Sequence, residues 1–255
     1  MKICVLVKEV PDAAVEKRID SSTGRMDRSG EKNLNPYDTH AIEAAMQIKE
    51  GGAVAVDEIV AVTMGPDSAV RALHKAVSLG ADRSVHLSDA AVAGSDVAAT
   101  GYALAQTLKR ESPDLVLLGQ QSDDGECYTI GAVVAEHLGM PSLTQVIKMD
   151  VDSESLRCER QAEYGYDTVQ IKLPAVISVG DAINEPRYPS LKGIMGAKSK
   201  PQETLTAAEL GGVTAPATEV LATSAPPERG ERRRVEDDGS APAAIVEFLV
   251  EKRLL

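Results

Sequence analysis

The stretch Gly119-Gln120-Gln121-Ser122-Asp123-Asp124-Gly125-Glu126 concentrates residue types that could hold a charged ligand, and it leads into a helix start at residues 127–131. Its glycines permit close backbone approach. A helix N-terminus offers free N–H groups and the positive end of a dipole to a phosphate. The acidic side chains cannot face that phosphate, so they would bind ribose hydroxyls, point at solvent or meet a partner. Taken alone, the stretch reads more simply as a polar loop capping a helix, because short loop motifs recur without function. Asp123-Asp124 lacks a third ligand or a nearby base, so a solvated pair outweighs a metal or acid–base pair. Cys127 at a helix start could carry a lowered thiol pKa. A small packing residue is the plainer reading of a lone cysteine.

Two further loops face the same way in the expected fold: Lys8-Glu9-Val10-Pro11-Asp12 after the first strand, and Met64-Gly65-Pro66 at a helix start. Motifs that would assign other chemistry are missing. No G-x-G-x-x-G follows the first strand, and neither a G-x-x-x-x-G-K-[ST] loop nor a G-x-S-x-G elbow occurs. No Ser-Gly-Gly-x-Asp-Ser stretch marks an ATP pyrophosphatase of similar topology. Arg232-Arg233-Arg234 reads as a solvated charge run beside Glu231 and Glu236.

The elements that must position these loops are legible from periodicity. Residues 3–7, 58–62, 85–87 and 114–118 are short apolar runs of the kind that form strands covered on both faces. Helical patterns alternate with them. The first opens at Asn35-Pro36, with Asn as N-cap and Pro at the first position, and ends at Gly51-Gly52. The others start at Gly65-Pro66, at Ser95 and at Tyr128, the last running to Leu138. This alternation predicts an α/β fold with a parallel sheet between two helix layers, where ligands bind beyond the carboxyl ends of the strands. Residues 144–149, 155–161 and 168–173 predict an antiparallel addition, and 175–179 a last apolar strand. From Pro201 the composition shifts to Ala, Thr, Pro, Glu and Arg. Residues 213–240 are expected to form an extended or partly disordered arm, and 243–255 a terminal amphipathic helix. A terminal helix beyond a loose arm makes sense if it docks on something else.

Composition narrows the partners. Acidic residues outnumber basic ones, 39 to 27, and the net charge of -12 disfavours nucleic acid and anionic lipid. No run of about 18 apolar residues occurs, and residues 1–7 are too short for a signal peptide. A cytoplasmic protein without membrane insertion is expected. Three dispersed cysteines suggest neither a disulfide framework nor a metal cluster. Aromatic residues make up 3% of the chain and Trp is absent, so a flavin would find few rings here to stack on.

Residues 173–200, L-P-A-V-I-S-V-G-D-A-I-N-E-P-R-Y-P-S-L-K-G-I-M-G-A-K-S-K, resemble the signature of electron transfer flavoprotein beta subunits, in which a strand is followed by N-E-P-R-Y and an I-M-x-A-K helix. V-K-E-V-P-D at 7–12, N-P-Y-D at 35–38, G-P at 65–66, L-G-A-D-R at 79–83 and D-L-V-L-L-G-Q-Q at 114–121 are family-like in order and spacing. The resemblance covers nearly the whole chain and is weak only in the arm.

It implies an adenine nucleotide alpha hydrolase-like fold over residues 1–200. Residues 201–255 would be an arm and helix contacting an alpha subunit that holds the redox-active FAD. The heterodimer would take electrons from dehydrogenases such as acyl-CoA dehydrogenases, in fatty acid oxidation, and pass them to a quinone-reducing or other acceptor, as a carrier rather than an enzyme. In the common form this chain buries AMP. In a bifurcating form the same pocket holds a second FAD and the complex oxidises NADH. Carried over by position, the cofactor contacts are Leu6, Asn35, Met64 with Gly65, and Asp123, Asp124, Gly125, Glu126, Cys127, Tyr128, Thr129, Ile130 and Gly131, with Val133 and Val134 close by. The family loop usually runs D-D-x-x-N-Q-T-G or D-G-D-T-x-Q-V-G. Its amide-bearing Gln is missing here, which leaves AMP against FAD open. The resemblance also implies a dehydrogenase-docking loop at Pro189, Ser190, Leu191, Lys192, Gly193, Ile194 and Met195, with Leu191 as the apolar anchor. A stand-alone adenylate-binding module of the universal-stress type is a rival from another class. It lacks its glycine-rich phosphate loop here and does not account for residues 173–200.

Overall fold

The computed structural model describes residues 1–224, 227 and 234–255. Strand β1 (Lys2–Leu6) is followed by β2 (Glu9–Pro11), the short hairpin β3 (Ile19–Asp20) and β4 (Arg25–Met26), and β5 (Lys32–Leu34). Helix α1 (Pro36–Gly51), β6 (Glu58–Met64), α2 (Val70–Leu79), β7 (Arg83–Leu87), α3 (Val97–Glu111), β8 (Leu115–Gly119) and α4 (Ile130–Leu138) supply the alternating part. Then come β9 (Ser142–Val151), β10 (Ser155–Ala162), β11 (Gly165–Lys172), β12 (Ala175–Val179), α5 (Leu191–Gly196), β13 (Gln202–Leu205) and α6 (Ala241–Glu251).

One nine-stranded sheet organises the fold, in the order β11-β10-β9-β12-β8-β1-β6-β7-β13. The strands from β12 to β13 in that order run parallel, and β9, β10 and β11 pair antiparallel with one another. Ile3, Val5, Ile59, Leu115 and Leu117 pack on one face with Ala41, Ile42, Leu73 and Ala76 of α1 and α2. Cys4, Val60, Val62, Val116 and Leu118 pack on the other with Ala103, Leu108 and Val134 of α3 and α4. This is the three-layer α/β architecture that the uninterrupted apolar strands predict. Truncating a fully buried member such as Leu117 would cost about 2–5 kcal/mol.

Several boundaries differ from the sequence reading, each for a local reason. Glu9–Pro11 is not loop, because it pairs antiparallel with β5. A 3-10 turn, Asp67–Ala69, precedes α2. Asp96 rather than Ser95 caps α3: its carboxylate accepts the Ala99 N–H at 2.9 Å. The same carboxylate accepts the N–H groups of Ala217 and Thr218 at 2.8 and 3.0 Å, which fixes the start of the arm. Helix α4 begins at Ile130 and not at Tyr128, because Tyr128 has φ 54° and cannot continue a right-handed helix. Strand β13 was not legible as a strand. It extends the sheet beyond β7 in parallel register.

The chain divides into a compact unit Met1–Leu221 and a second, Ala222–Leu255. In the second, α6 leaves Ile245, Val246 and Val250 more than half exposed. Of the arginine run at 232–234, Arg232 and Arg233 lie outside the described residues. Among the described residues, no helix is long and apolar enough to cross a membrane.

Candidate functional site

After β1 the chain moves to β6 and β7 on one side of the sheet, then crosses to β8 on the other. The crevice outside the carboxyl ends of β1 and β8 is therefore a topological switch point, the place where open α/β sheets bind ligands. Three loops meet there, and buried polar side chains tie them together.

Asn35 occupies the N-cap position of α1 but does not cap it. Its side chain is drawn across the crevice instead. The amide Nδ2 donates to the Gln121 carbonyl at 2.8 Å, and Oδ1 accepts the Asp123 N–H at 3.0 Å. Asn35 is 1% exposed, so both bonds form away from water. Asp38, one turn into α1, accepts the N–H of Lys8 at 2.8 Å and of Gly119 at 3.2 Å. Two side chains from the first turn of α1 thus set the exits of both β1 and β8. Gly119 is required at this junction: a Cβ there would lie 2.6 Å from the Tyr37 backbone.

Electrostatics hold the turn that follows. Asp123-Asp124 is not the solvated pair expected: the Asp124 carboxylate is fully enclosed and pairs with Lys8 Nζ at 2.7 Å and Arg28 Nη2 at 2.6 Å. Burial opposes its ionisation, but the Lys8 charge and hydrogen bonds from Lys8, Arg28 and Ser122 prevail and hold its pKa down to about 2. Lys17 Nζ pairs with Asp123 at 2.8 Å and donates to its carbonyl at 2.7 Å. Asp38 behaves oppositely. Burial dominates its hydrogen bonds and pushes it up to about 7.

The structure brings most of the expected contacts together. Leu6 ends β1, and Met64 ends β6 with Gly65 beside it, where the Gly65 carbonyl meets His86 Nε2 at 3.1 Å. Residues Asp123 to Thr129 form the turn before α4, with left-handed backbone at Glu126 (φ 45°) and Tyr128. Cys127 is exposed there and is not the small packing residue expected, and Tyr128 is exposed beside it. No side chain caps α4, so the N–H groups of its first turn have no side-chain partner. Two residues turn elsewhere. Val134 is fully buried in the core, and Gly131 faces Leu118, where an added Cβ would lie 3.3 Å from that side chain. Gly131 therefore serves helix–strand packing.

Sequence reasoning missed Arg28, Lys17 and Asp38 as parts of this site. All three act through side-chain contacts bridging 81 to 106 positions, which leave no local pattern. Gln121 Oε1 is a buried acceptor without a partner, the kind of group that a ligand N–H satisfies. Uncapped helix donors, the cations Lys8 and Arg28, a buried acceptor without a partner and the apolar Leu6 and Met64 are the kinds of group that could hold a nucleotide. Among the described residues there is no metal-ligating cluster.

The expected docking residues lie apart from this crevice. Pro189 precedes a turn in which Ser190 Oγ accepts the Gly193 N–H at 3.0 Å and caps α5. Leu191, Ile194 and Met195 are exposed hydrophobics, and Lys192 lies between them.

Comparison with known proteins agrees with this architecture. The family profile described as the electron transfer flavoprotein domain matches residues 23–210. The chain is 39% identical to the electron transfer flavoprotein subunit beta of Mycobacterium tuberculosis, over 99% of each chain. It is 35% identical to that of Megasphaera elsdenii, over 99% of this chain and 97% of the relative. It is 36% identical to the caffeyl-CoA reductase-Etf complex subunit CarD of Acetobacterium woodii, over 90% of each.

Proposed function

The chain belongs to the electron transfer flavoprotein beta-subunit family, and from that premise we propose that it pairs with an alpha subunit carrying the working FAD and itself holds AMP in the crevice beside Asn35. The flavin supplies the electron-carrying chemistry when bound. This chain positions it and offers a docking surface.

The observation that carries the reading is the Asn35 clamp. It fixes the Gln121–Asp123 backbone beside an uncapped helix N-terminus at the switch point of the sheet. Lys8 and Arg28 neutralise Asp124 there and Lys17 pairs with Asp123, so neither carboxylate stands as an uncompensated charge against a phosphate. The nucleotide contacts are Leu6, Asn35, Met64, Gly65, Gln121 and the backbone of residues 123–131. The docking contacts are residues 189–195, with Leu191 as anchor. The heterodimer accepts electrons from flavin dehydrogenases such as acyl-CoA dehydrogenases and passes them to an acceptor oxidoreductase. It works in the cytoplasm, where the free thiols of Cys4, Cys127 and Cys158 stay reduced.

A second reading has its own support. The Acetobacterium woodii relative is named as a subunit of a caffeyl-CoA reductase complex. In that reading a second FAD replaces AMP, and NADH is the donor. The two are separated by mixing the purified heterodimer with either a reduced acyl-CoA dehydrogenase or NADH. Flavin bleaching by the dehydrogenase alone supports the carrier; bleaching by NADH alone overturns it.

A further inference from the structure

Residues 184–197 cross the outer surface of α1 and α2 and are fixed at two mounts with an exposed arch between them. The first mount is Arg187. Its guanidinium donates to Glu43 at 2.6 and 3.0 Å and to Glu50 at 2.6 and 2.8 Å, a four-bond fork across two turns of α1. Glu43 is only 6% exposed. Fork geometry on a buried carboxylate belongs to the strong class of ion pairs, unlike a solvated surface pair. Asn184 supports it by donating to the His40 carbonyl at 3.1 Å.

The second mount is Gly193. Its Cα approaches the C-terminal turn of α2 so closely that a Cβ would lie 2.5 Å from the Ser78 carbonyl oxygen. Ser190 fixes the turn around it, and buried Ala197 anchors the segment in the core beyond. Between the mounts, Tyr188 is 95% exposed and Leu191 74%, and Met195, two residues past Gly193 and before buried Ala197, is 75% exposed. Such an apolar arch on a short helix would ordinarily lose conformational freedom when a partner covers it.

We propose that Arg187 and Gly193 are positioning residues that hold residues 188–195 as a preformed arch, so that affinity for a flavin dehydrogenase depends on both mounts. The inference rests on the docking reading above. It adds that the arch binds because it is fixed, and not only because it is apolar.

The test uses the purified heterodimer with an acyl-CoA dehydrogenase that reduces the wild-type protein. Arg187→Ala and Gly193→Ala should each raise KM for the heterodimer about ten-fold, with kcat within about two-fold. Amide exchange over residues 188–195 should quicken, with flavin content unchanged. Glu50→Ala removes only the outer half of the fork at an exposed site, and should act in the same direction if Arg187→Ala fails to assemble. Leu191→Ala is the reference. If Leu191→Ala raises KM but the mount variants leave KM or exchange at wild-type values, the positioning role is wrong and docking stands. If Leu191→Ala leaves KM unchanged, the docking reading falls and this inference falls with it.

Discussion

Asn35 accepts the Asp123 N–H at 3.0 Å across 88 positions of sequence, so the first turn of α1 determines the shape of a loop that follows β8. Asn35→Asp keeps this acceptor but loses the donor to Gln121 and sets a negative charge against that carbonyl. Leaving a buried group unpaired costs about 1–3 kcal/mol. The variant heterodimer should unfold at lower temperature and lose most of its adenine nucleotide, read by chromatography of the denatured protein. Full nucleotide content would show that the clamp does not shape the site.

Two carboxylates give the stability of this region opposite pH slopes. Asp124 has a folded pKa of about 2, below the ordinary value of 3.8. Its contribution is present above pH 4 and is lost as pH falls from 4 toward 2, on the order of 2–3 kcal/mol. Asp38 has a folded pKa of about 7, above the same value. The unfolded chain sheds this proton first, so stability falls as pH rises from 4 to 7 and then levels, by roughly 2–4 kcal/mol. Thermal midpoints against pH should show both limbs. Asp124→Asn should remove the acid limb, and Asp38→Asn should flatten the neutral one.

Gly119→Ala tests the junction of β8 with α1. The new Cβ would meet the Tyr37 backbone and the Asp38 carboxylate at 2.6 and 2.7 Å. Overpacking of this kind costs about 1–3 kcal/mol. A lowered midpoint with reduced nucleotide content is expected, and an unchanged midpoint would mean that the junction yields without strain.

The terminal helix supplies a separate test. Ile245, Val246 and Val250 are more than half exposed on α6, more apolar surface than so short a helix needs by itself. Deleting residues 240–255 should lower the yield of flavin-containing heterodimer at equal expression of both subunits. Equal yield would remove the clamp role from the arm.

Strand and helix order was legible because β1, β6, β8 and β12 are continuous apolar runs, and buried parallel strands have that pattern. Strand β13 was not legible: Gln202-Glu203-Thr204-Leu205 is a mostly exposed edge with one buried residue, and its register is set by β7. At the site, glycines and a helix start drew attention to residues 119–131. The residues that fix that loop, Asn35, Asp38, Lys8 and Arg28, reach it only in the folded chain. Asn35 also misled locally. It has the residue type of a cap, yet its amide serves a loop 88 positions away.

Whether this beta subunit holds AMP beside a partner-bound flavin is decided by the cofactor content of the purified heterodimer after acid denaturation. One AMP and one FAD per heterodimer is the predicted result. Two FAD without AMP, or one FAD with no adenine nucleotide, would contradict it.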